Sequence, residues 1–254
     1  MAKDDKTEVL ERGDIYFAYR PKMDVDSPKG LDDVQRFYMI LSARDKGRYR
    51  LIVVGRKRLP EIEEGGGRTW AFVDKVARSP GALMEELGPE TRDTKTRGER
   101  TQPAARPAGE GVYAVVRHGD HTHLAYVLEL PDEAREVQRA LNIRQEGSYI
   151  ISVKNPDQPS ARGAGLEEHA EADFPQRLQA KFKNRRFIDV DPTDFLDHAG
   201  AELLLIGAAE DVSEELGISL DAEHETVDTA DFFADLRLDR EQHPTEPLLK
   251  GEWA

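Results

Sequence analysis

Apolar residues in this chain recur in short runs that alternate with polar ones, a pattern typical of β-strands. The clearest case is residues 111–130, GVYAVVRHGDHTHLAYVLEL, where two runs flank Gly119-Asp120 and predict a β-hairpin. Further strands are predicted at residues 14–20, 35–43, 48–55, 69–77, 147–153, 186–190 and 201–207. The last of these, AELLLIG, is apolar almost throughout and predicts a strand that is buried on both faces.

Helical signals are short and scattered between the strands. Residues 80–87 have proline in the first turn and are followed by Gly88, which favours a helix that ends there. Similar signals predict short helices at residues 131–141 and 174–182, and another that begins at Asp191-Pro192-Thr193. The fold class is therefore expected to be α+β and β-dominated.

The strand runs of the two halves of the chain resemble each other. Residues 15–20 match 112–117, residues 38–41 match 126–128, residues 49–53 match 149–153, and residues 70–74 match 187–191. This predicts two related β-barrel-like or sheet modules, at residues 12–88 and 110–208, joined by a polar linker at 89–109. The alternative is that apolar strands resemble one another by composition alone.

Composition excludes several kinds of site. The 254 residues include no cysteine, so disulfides, thiolate zinc sites and a cysteine nucleophile are excluded, and a reducing cytoplasm is the expected compartment. No apolar run approaches the roughly 20 residues needed to cross a bilayer, so no membrane association is expected.

Negative charge is concentrated at the C-terminal end. Residues 209–254 contain 14 acidic and 3 basic residues, and so account for −11 of the total net charge of −14. They are predicted to form an acidic C-terminal extension. Phe232, Phe233 and Trp253 leave open whether it is an exposed tail or an ordered strap. Because the remaining chain is nearly neutral, the overall charge does not exclude a nucleic-acid partner.

Three of the seven histidines lie at the tip of the predicted hairpin. With Gly119-Asp120 as a two-residue turn, His118 lies opposite His121, and His123 shares the face of His121. Zinc is bound by such imidazole sets, so these three residues are a candidate metal site. The alternative is an exposed polar turn.

Basic residues form three clusters, at residues 44–58, 92–106 and 177–186. Lys and Arg contacts to phosphates, combined with aromatic stacking, would suit single-stranded nucleic acid or a flipped base. The candidate nucleic-acid-binding residues are Arg56, Lys57, Arg58, Trp70, Arg185 and Arg186. The alternative is that these charges are solvated strand edges that prevent aggregation.

Two resemblances to known families are visible. Arg12-Gly13-Asp14-Ile15-Tyr16-Phe17 and residues 149–156 resemble a conserved set of bacterial proteins without an assigned activity, which implies no catalytic residues. Residues 13–19, a Gly-Asp followed by aromatics, and residues 70–87, a Trp strand with Val-Asp that leads into Pro and a short helix, resemble PUA-like domains of the EVE type. Such domains commonly bind modified nucleobases, so that resemblance implies the same class of ligand.

The motifs of common enzyme classes are missing from the sequence: it contains no Walker-type loop, nucleophile elbow or His-Glu-x-x-His. The leading hypothesis is a non-catalytic binding or interaction module of unknown ligand and without a cofactor. Its partner is unknown, with nucleic acid and protein as the two candidates. The alternative is binding of nucleic acid or a modified base by a PUA-like module. A third hypothesis is a metal-dependent hydrolase that holds zinc at the three histidines.

Overall fold

A computed structural model describes residues 7–62, 66–94, 98–159, 171–220, 236, 239 and 241–254. Its strands are β1 (Glu8–Pro21), β2 (Val34–Ala43), β3 (Arg48–Val54), β4 (Arg68–Ala77), β5 (Glu90–Thr94), β6 (Gly98–Gln102), β7 (Arg106–His118), β8 (His121–Leu130), β9 (Glu146–Lys154), β10 (Phe187–Asp189) and β11 (Glu202–Gly207). Its α-helices are α1 (Gly81–Leu87), α2 (Glu136–Ala140), α3 (Gln176–Gln179), α4 (Val212–Leu216) and α5 (Glu246–Leu249). The predicted β-dominated class with short helices is confirmed.

Eight strands close into one antiparallel barrel. The order around it is β9, β11, β4, β3, β2, β1, β7 and β8, and β8 pairs with β9 to complete the ring. Closure leaves no open edge within the ring. The tenth strand lies outside it, paired with the end of β9, and β5 pairs only with β6.

Both halves of the chain contribute to this single barrel. The consecutive strands β1 to β4 form one half, and β7, β8, β9 and β11 form the other in the same order. That order is what the predicted relation between the halves requires, although the relation itself stays a prediction. The match of residues 70–74 to 187–191 would make β10 the counterpart of β4. In the barrel, however, the fourth strand of the second half is β11, which pairs with β4.

Inward-facing side chains fill the barrel and form its largest core. They include Phe17, Phe37, Tyr113, Tyr126 and Tyr149, all nearly or fully buried. Curvature is aided by glycine where neighbouring strands approach closely. A Cβ on Gly13 would lie 1.9 Å from the Ser42 carbonyl oxygen, and one on Gly111 would lie 2.0 Å from that of Val127.

The prediction that residues 201–207 form a strand is confirmed, but its burial was predicted wrongly. In β11, Leu203 and Leu205 are buried, whereas Leu204 and Ile206 on the other face are half-buried. The inner face packs in the barrel, while the outer face has partial contact with solvent. Alternation therefore decides burial even in a run of leucines.

Two polar segments are more ordered than their composition indicates. The residues predicted as a linker include the hairpin of β5 and β6 and the start of β7. In the described part of residues 209–254, α4 packs on the outer face of β7 and β8, and Leu236 and Leu248 are fully buried. The module boundaries stay a prediction, and Phe232 and Phe233 lie outside the described residues.

Two of the predicted helices are shorter than expected, and a third is a 3-10 helix. The helix predicted at 131–141 is limited to α2, and the one predicted at 174–182 is the single turn α3, extended by the 3-10 turn Ala180–Phe182. Pro192 precedes a 3-10 helix, Thr193–Asp197. In the described ranges, no helix has the length and apolarity required to traverse a bilayer.

Candidate nucleic-acid interface

The tip of the β7–β8 hairpin meets β10 along one edge of β9. Residues 123–127 of β8 pair with residues 146–150 of β9, and β10 pairs with residues 152–154, directly beyond the end of β8. The predicted hairpin is confirmed, with His118 paired to His121 across Gly119-Asp120. As a result, His121 Nδ1 lies 3.9 Å from Asp189 Oδ1.

A pocket of about 380 Å³ lies between the hairpin tip and β10, and we call it the tip pocket. It is lined by Arg117, Gly119, Asp120, His121 and Thr122 from the hairpin, and by Lys181, Lys183, Arg185, Ile188, Asp189 and Asp191. A volume of this size lies within the range of small-molecule sites, about 300–1,000 Å³.

The basic wall of the tip pocket comes from the turn that joins α3 to β10. Lys183 and its neighbour Asn184 have left-handed backbone conformations, with φ of 46° and 65°, so the chain reverses sharply there. Lys181, Lys183 and Arg185 are exposed, and among the described residues none of them pairs with a carboxylate. Arg117, by contrast, is paired with Asp191 and Glu8.

Thr122 is the unusual polar residue of the tip pocket. It is fully buried, yet its hydroxyl has no hydrogen-bond partner within the described part of the chain. A buried hydroxyl without a partner costs about 1–3 kcal/mol, so such groups commonly mark a place where water or a ligand binds. Because Thr122 pairs with Arg117 across the hairpin, the two side chains share the face that lines the pocket.

Two half-buried aromatic rings lie beside the tip pocket, on the outer face of the barrel. The rings of Trp70 and Phe187 are 5.6 Å apart between centroids, although β9 and β11 separate their strands in the sheet. The Arg186 guanidinium lies 5.7 Å from the Phe187 ring centroid. We call Trp70, Phe187 and Arg186 the aromatic platform. On β10, Phe187 belongs to the platform, whereas Ile188 and Asp189 line the pocket.

The structure brings together only some of the candidate nucleic-acid-binding residues. Trp70 and Arg186 both contact Phe187, and Arg185 lines the tip pocket next to them. The exposed Arg56 follows Gly55, whose amide donates to the Trp70 carbonyl at 2.8 Å.

Two of the predicted residues are engaged elsewhere. Lys57 donates to the Val34 carbonyl at 2.6 Å, and Arg58 lies 3.8 Å from Glu61. Both belong to the loop after β3, and neither is among the residues that line the tip pocket.

The three histidines have different neighbours in the structure. The rings of His118 and His123 are 5.9 Å apart between centroids, while His121 faces Asp189. In the described ranges, no group of three or more His, Asp or Glu side chains is placed to hold a metal ion. The zinc hypothesis at His118, His121 and His123 stays a prediction.

His123 has a different environment from the other two. It is buried beneath α4, its Nδ1 has no hydrogen-bond partner in the described residues, and Glu215 Oε1 lies 3.8 Å away. Burial, and to a lesser extent the nearby His118 and His121, lowers the pKa of His123 to about 4. The imidazole is therefore neutral at pH 7.

Phe187, Lys181, Lys183 and Thr122 are the functional candidates missing from the sequence-based prediction. For the two lysines a signal existed, because they belong to the basic cluster 177–186 that contains no acid. For Thr122, alternation along β8 places the side chain on the inward face of Leu124 and Tyr126, but nothing local indicates that its hydroxyl is left unpaired. Phe187 becomes notable only through its distance from Trp70.

Comparisons of the chain with protein-family models, with curated proteins and with solved structures found no match. The resemblances noted above stay expectations, and the site has to be interpreted from its own geometry.

Proposed function

We propose that this protein is a non-catalytic module that binds single-stranded nucleic acid across the aromatic platform and the basic turn of residues 181–186. The observation that carries the proposal is the juxtaposition of Trp70 and Phe187 with exposed cations that lack carboxylate partners in the described chain. Nonspecific single-strand sites combine these two features, since bases stack on aromatic rings and the backbone follows positive charge.

Charge supports the same ligand. Five basic residues and no acid occur between Arg177 and Arg186, whereas the chain as a whole is acidic. A local basic surface on an acidic protein restricts polyanion binding to that surface, because the rest repels the backbone. The half-buried Trp70 and Phe187 rings give an unpaired base apolar contact that a stacked duplex does not offer.

Fluorescence anisotropy with labelled 12-nucleotide single strands, hydroxylated at both ends, tests the proposal at 50 mM salt. Phe187→Leu keeps an apolar side chain but removes the stacking face, and we expect it to weaken binding about tenfold, given about 1–3 kcal/mol per stacked base. Lys29→Ala is the matched control, because Lys29 is an exposed cation in the loop at the other end of the barrel.

Tryptophan fluorescence gives an independent measurement. The protein has two tryptophans, so Trp253→Phe leaves Trp70 as the only source, and a stacked base should quench it. Equal affinity for duplex and single strand would replace the proposal with a general polyanion surface. Binding of an acidic peptide in place of oligonucleotides, or no binding of either nucleic acid at 50 mM salt, would overturn it.

A further inference from the structure

We infer that the tip pocket binds the phosphate monoester of a nucleotide, either free or at the end of a strand. This deepens the proposed function, because the pocket adjoins the aromatic platform through Phe187 and Ile188, consecutive residues of β10. A single strand that stacks on the platform would present its terminal nucleotide to the pocket.

The cations of the pocket match the charge of a monoester. Lys181, Lys183 and Arg185 line one wall and have no carboxylate partner among the described residues. A phosphate monoester carries about −1.5 to −2 charges at pH 7, whereas each internal phosphodiester carries one. Three cations around one pocket therefore suit a terminal phosphate better than a single backbone phosphate.

Thr122 supplies the neutral donor that such a site needs. The residue lines the pocket, its buried hydroxyl lacks a partner in the described chain, and a phosphate oxygen is a strong acceptor. The side chain is held in place because Thr122 pairs with Arg117 in the hairpin ladder. A phosphate oxygen that accepts a hydrogen bond from this hydroxyl would remove the cost of leaving it unpaired.

Three carboxylates, Asp120, Asp189 and Asp191, also line the pocket and are outnumbered by its four Lys and Arg side chains. Asp191 pairs with Arg117, which also pairs with Glu8. Asp189 is paired with His121 only at 3.9 Å, and its oxygens can accept hydrogen bonds from sugar hydroxyls, as acidic residues do in dinucleotide sites. A ligand with an anionic end and hydroxyl donors fits both signs of charge.

The size of the pocket limits what it can hold. At about 380 Å³ it lies near the lower end of small-molecule sites, about 300–1,000 Å³, so it accommodates one nucleotide rather than a passing strand. The remaining nucleotides of a strand would lie outside it, towards Phe187 and Trp70.

Calorimetric titration of the full chain with AMP, adenosine and inorganic phosphate, together with anisotropy of 12-nucleotide strands that carry a 5′-phosphate, a 3′-phosphate or neither, tests the inference. We expect AMP to bind and adenosine not to bind. Of the two phosphorylated strands, the one whose phosphate is at the correct end should bind about tenfold more tightly than the hydroxylated strand. The reason is that a hydrogen bond to a charged group contributes about 1.5–3 kcal/mol of binding free energy.

Thr122→Val is the decisive variant, because it keeps the shape and removes the hydroxyl. It should weaken AMP binding about tenfold while the melting temperature stays equal or rises, since an unpaired buried hydroxyl is lost. A hydroxyl with a merely structural role would give the reverse, a lower melting temperature and unchanged AMP affinity. Lys183→Ala should also weaken AMP binding, and Lys29→Ala should not.

The results separate this inference from the proposed function. No AMP binding, together with equal affinity for phosphorylated and hydroxylated strands, would overturn the pocket and leave the platform intact. AMP binding that Thr122→Val weakens, without binding of any hydroxylated strand, would support the pocket and overturn the single-strand proposal.

Discussion

Two basic clusters of this chain, residues 44–58 and 177–186, differ in what the fold does with their charges. In the first, Arg44 pairs with Asp14, and Arg50 pairs with Glu11 and Asp197. In the second, Lys181, Lys183 and Arg185 have no carboxylate partner in the described residues. The number of basic residues in a cluster therefore does not indicate whether it is available to a ligand.

Arg50 and Lys46 of the first cluster belong to a network around the buried Glu11. Arg50 is fully buried and donates to both oxygens of Glu11, which also accepts from Tyr113 at 2.8 Å and Thr193 at 2.9 Å. Burial alone would raise the pKa of Glu11, but Arg50 and Lys46 outweigh it and lower the pKa. The carboxylate is ionised at pH 7, and its charge is compensated within the protein.

The largest expected effect is on the paired cluster. Arg50→Met should lower the free energy of unfolding by about 3–5 kcal/mol, because it leaves Glu11 ionised and buried without its main partner. Urea denaturation measures this. Lys183→Met is the matched control and should stay within about 0.5 kcal/mol of the wild type, since Lys183 is exposed. A loss below about 1 kcal/mol for Arg50→Met would show that the network does not stabilise the fold.

Much of the fold could be predicted because alternation is a local property. The apolar pattern predicts the hairpin of residues 111–130 with its two-residue turn, and nine of the eleven strands in the described ranges correspond to apolar runs. The exceptions are β5 and β6, whose polar sequences ETRDT and GERTQ have no apolar face. Closure into one barrel could not be predicted, because it depends on β1 pairing with β7 and β4 with β11, contacts distant in sequence.

The candidate site was less predictable, because it depends on charge compensation in three dimensions. Lys57 and Arg58 looked equivalent to Arg185 and Arg186 in sequence, yet a backbone carbonyl and Glu61 occupy them. The histidine prediction had the correct hairpin register, but the surroundings of each ring depend on the fold. His123 lies beneath α4, while His121 lies 3.9 Å from Asp189.

The contrast between buried and exposed groups also applies to these two histidines. His123 has its pKa lowered to about 4 from an ordinary value of 6.5. Below pH 6.5 the unfolded chain binds a proton that the folded chain does not, so stability falls between pH 6.5 and pH 4. The loss attributable to this residue is about 3 kcal/mol, at 1.36 kcal/mol per pKa unit.

His123→Leu should remove that part of the pH dependence. Urea denaturation at pH 7, 6, 5 and 4 measures it, with His121→Leu as the control, because the side chain of His121 is 60% exposed. Identical pH profiles for His123→Leu and the wild type would contradict the assignment. The remaining acid sensitivity should follow Glu11, whose lowered pKa gives stability that is lost at still more acidic pH.

A smaller effect is expected in the salt dependence of single-strand binding. Each cation that neutralises a backbone phosphate contributes about 0.7 to the slope of log affinity against log salt concentration. Lys183→Ala should therefore reduce the magnitude of the slope by about 0.7. Between 50 and 200 mM salt, the variant should lose about threefold less affinity than the wild type loses. Arg44→Ala should leave the slope unchanged, because Asp14 already compensates Arg44. Equal slope changes for the two variants would remove the distinction between the clusters.

The smallest effect on stability is expected for Arg177. This residue belongs to the second cluster in sequence, but it pairs with a carboxylate, as Arg44 and Arg50 of the first cluster do. Its Nη2 lies 2.7 Å from Asp194 Oδ2, and the two side chains are 62% and 33% exposed. Exposed ion pairs contribute about 0.2–1 kcal/mol and are screened by salt, so Arg177→Gln should lower the free energy of unfolding by about 0.5 kcal/mol or less. In 1 M salt the difference should vanish.

The same variant tests whether pairing or position decides ligand binding. If pairing decides, Arg177→Gln should leave the salt slope of oligonucleotide binding within error of the wild type, although Arg177 lies only four residues from Lys181. A decrease in slope as large as that of Lys183→Ala would mean that the Asp194 pair opens when the strand binds. The basic surface would then extend along α3. The number of cations that contact the strand would depend on which ion pairs the strand opens, and not only on the pairs present in the free protein.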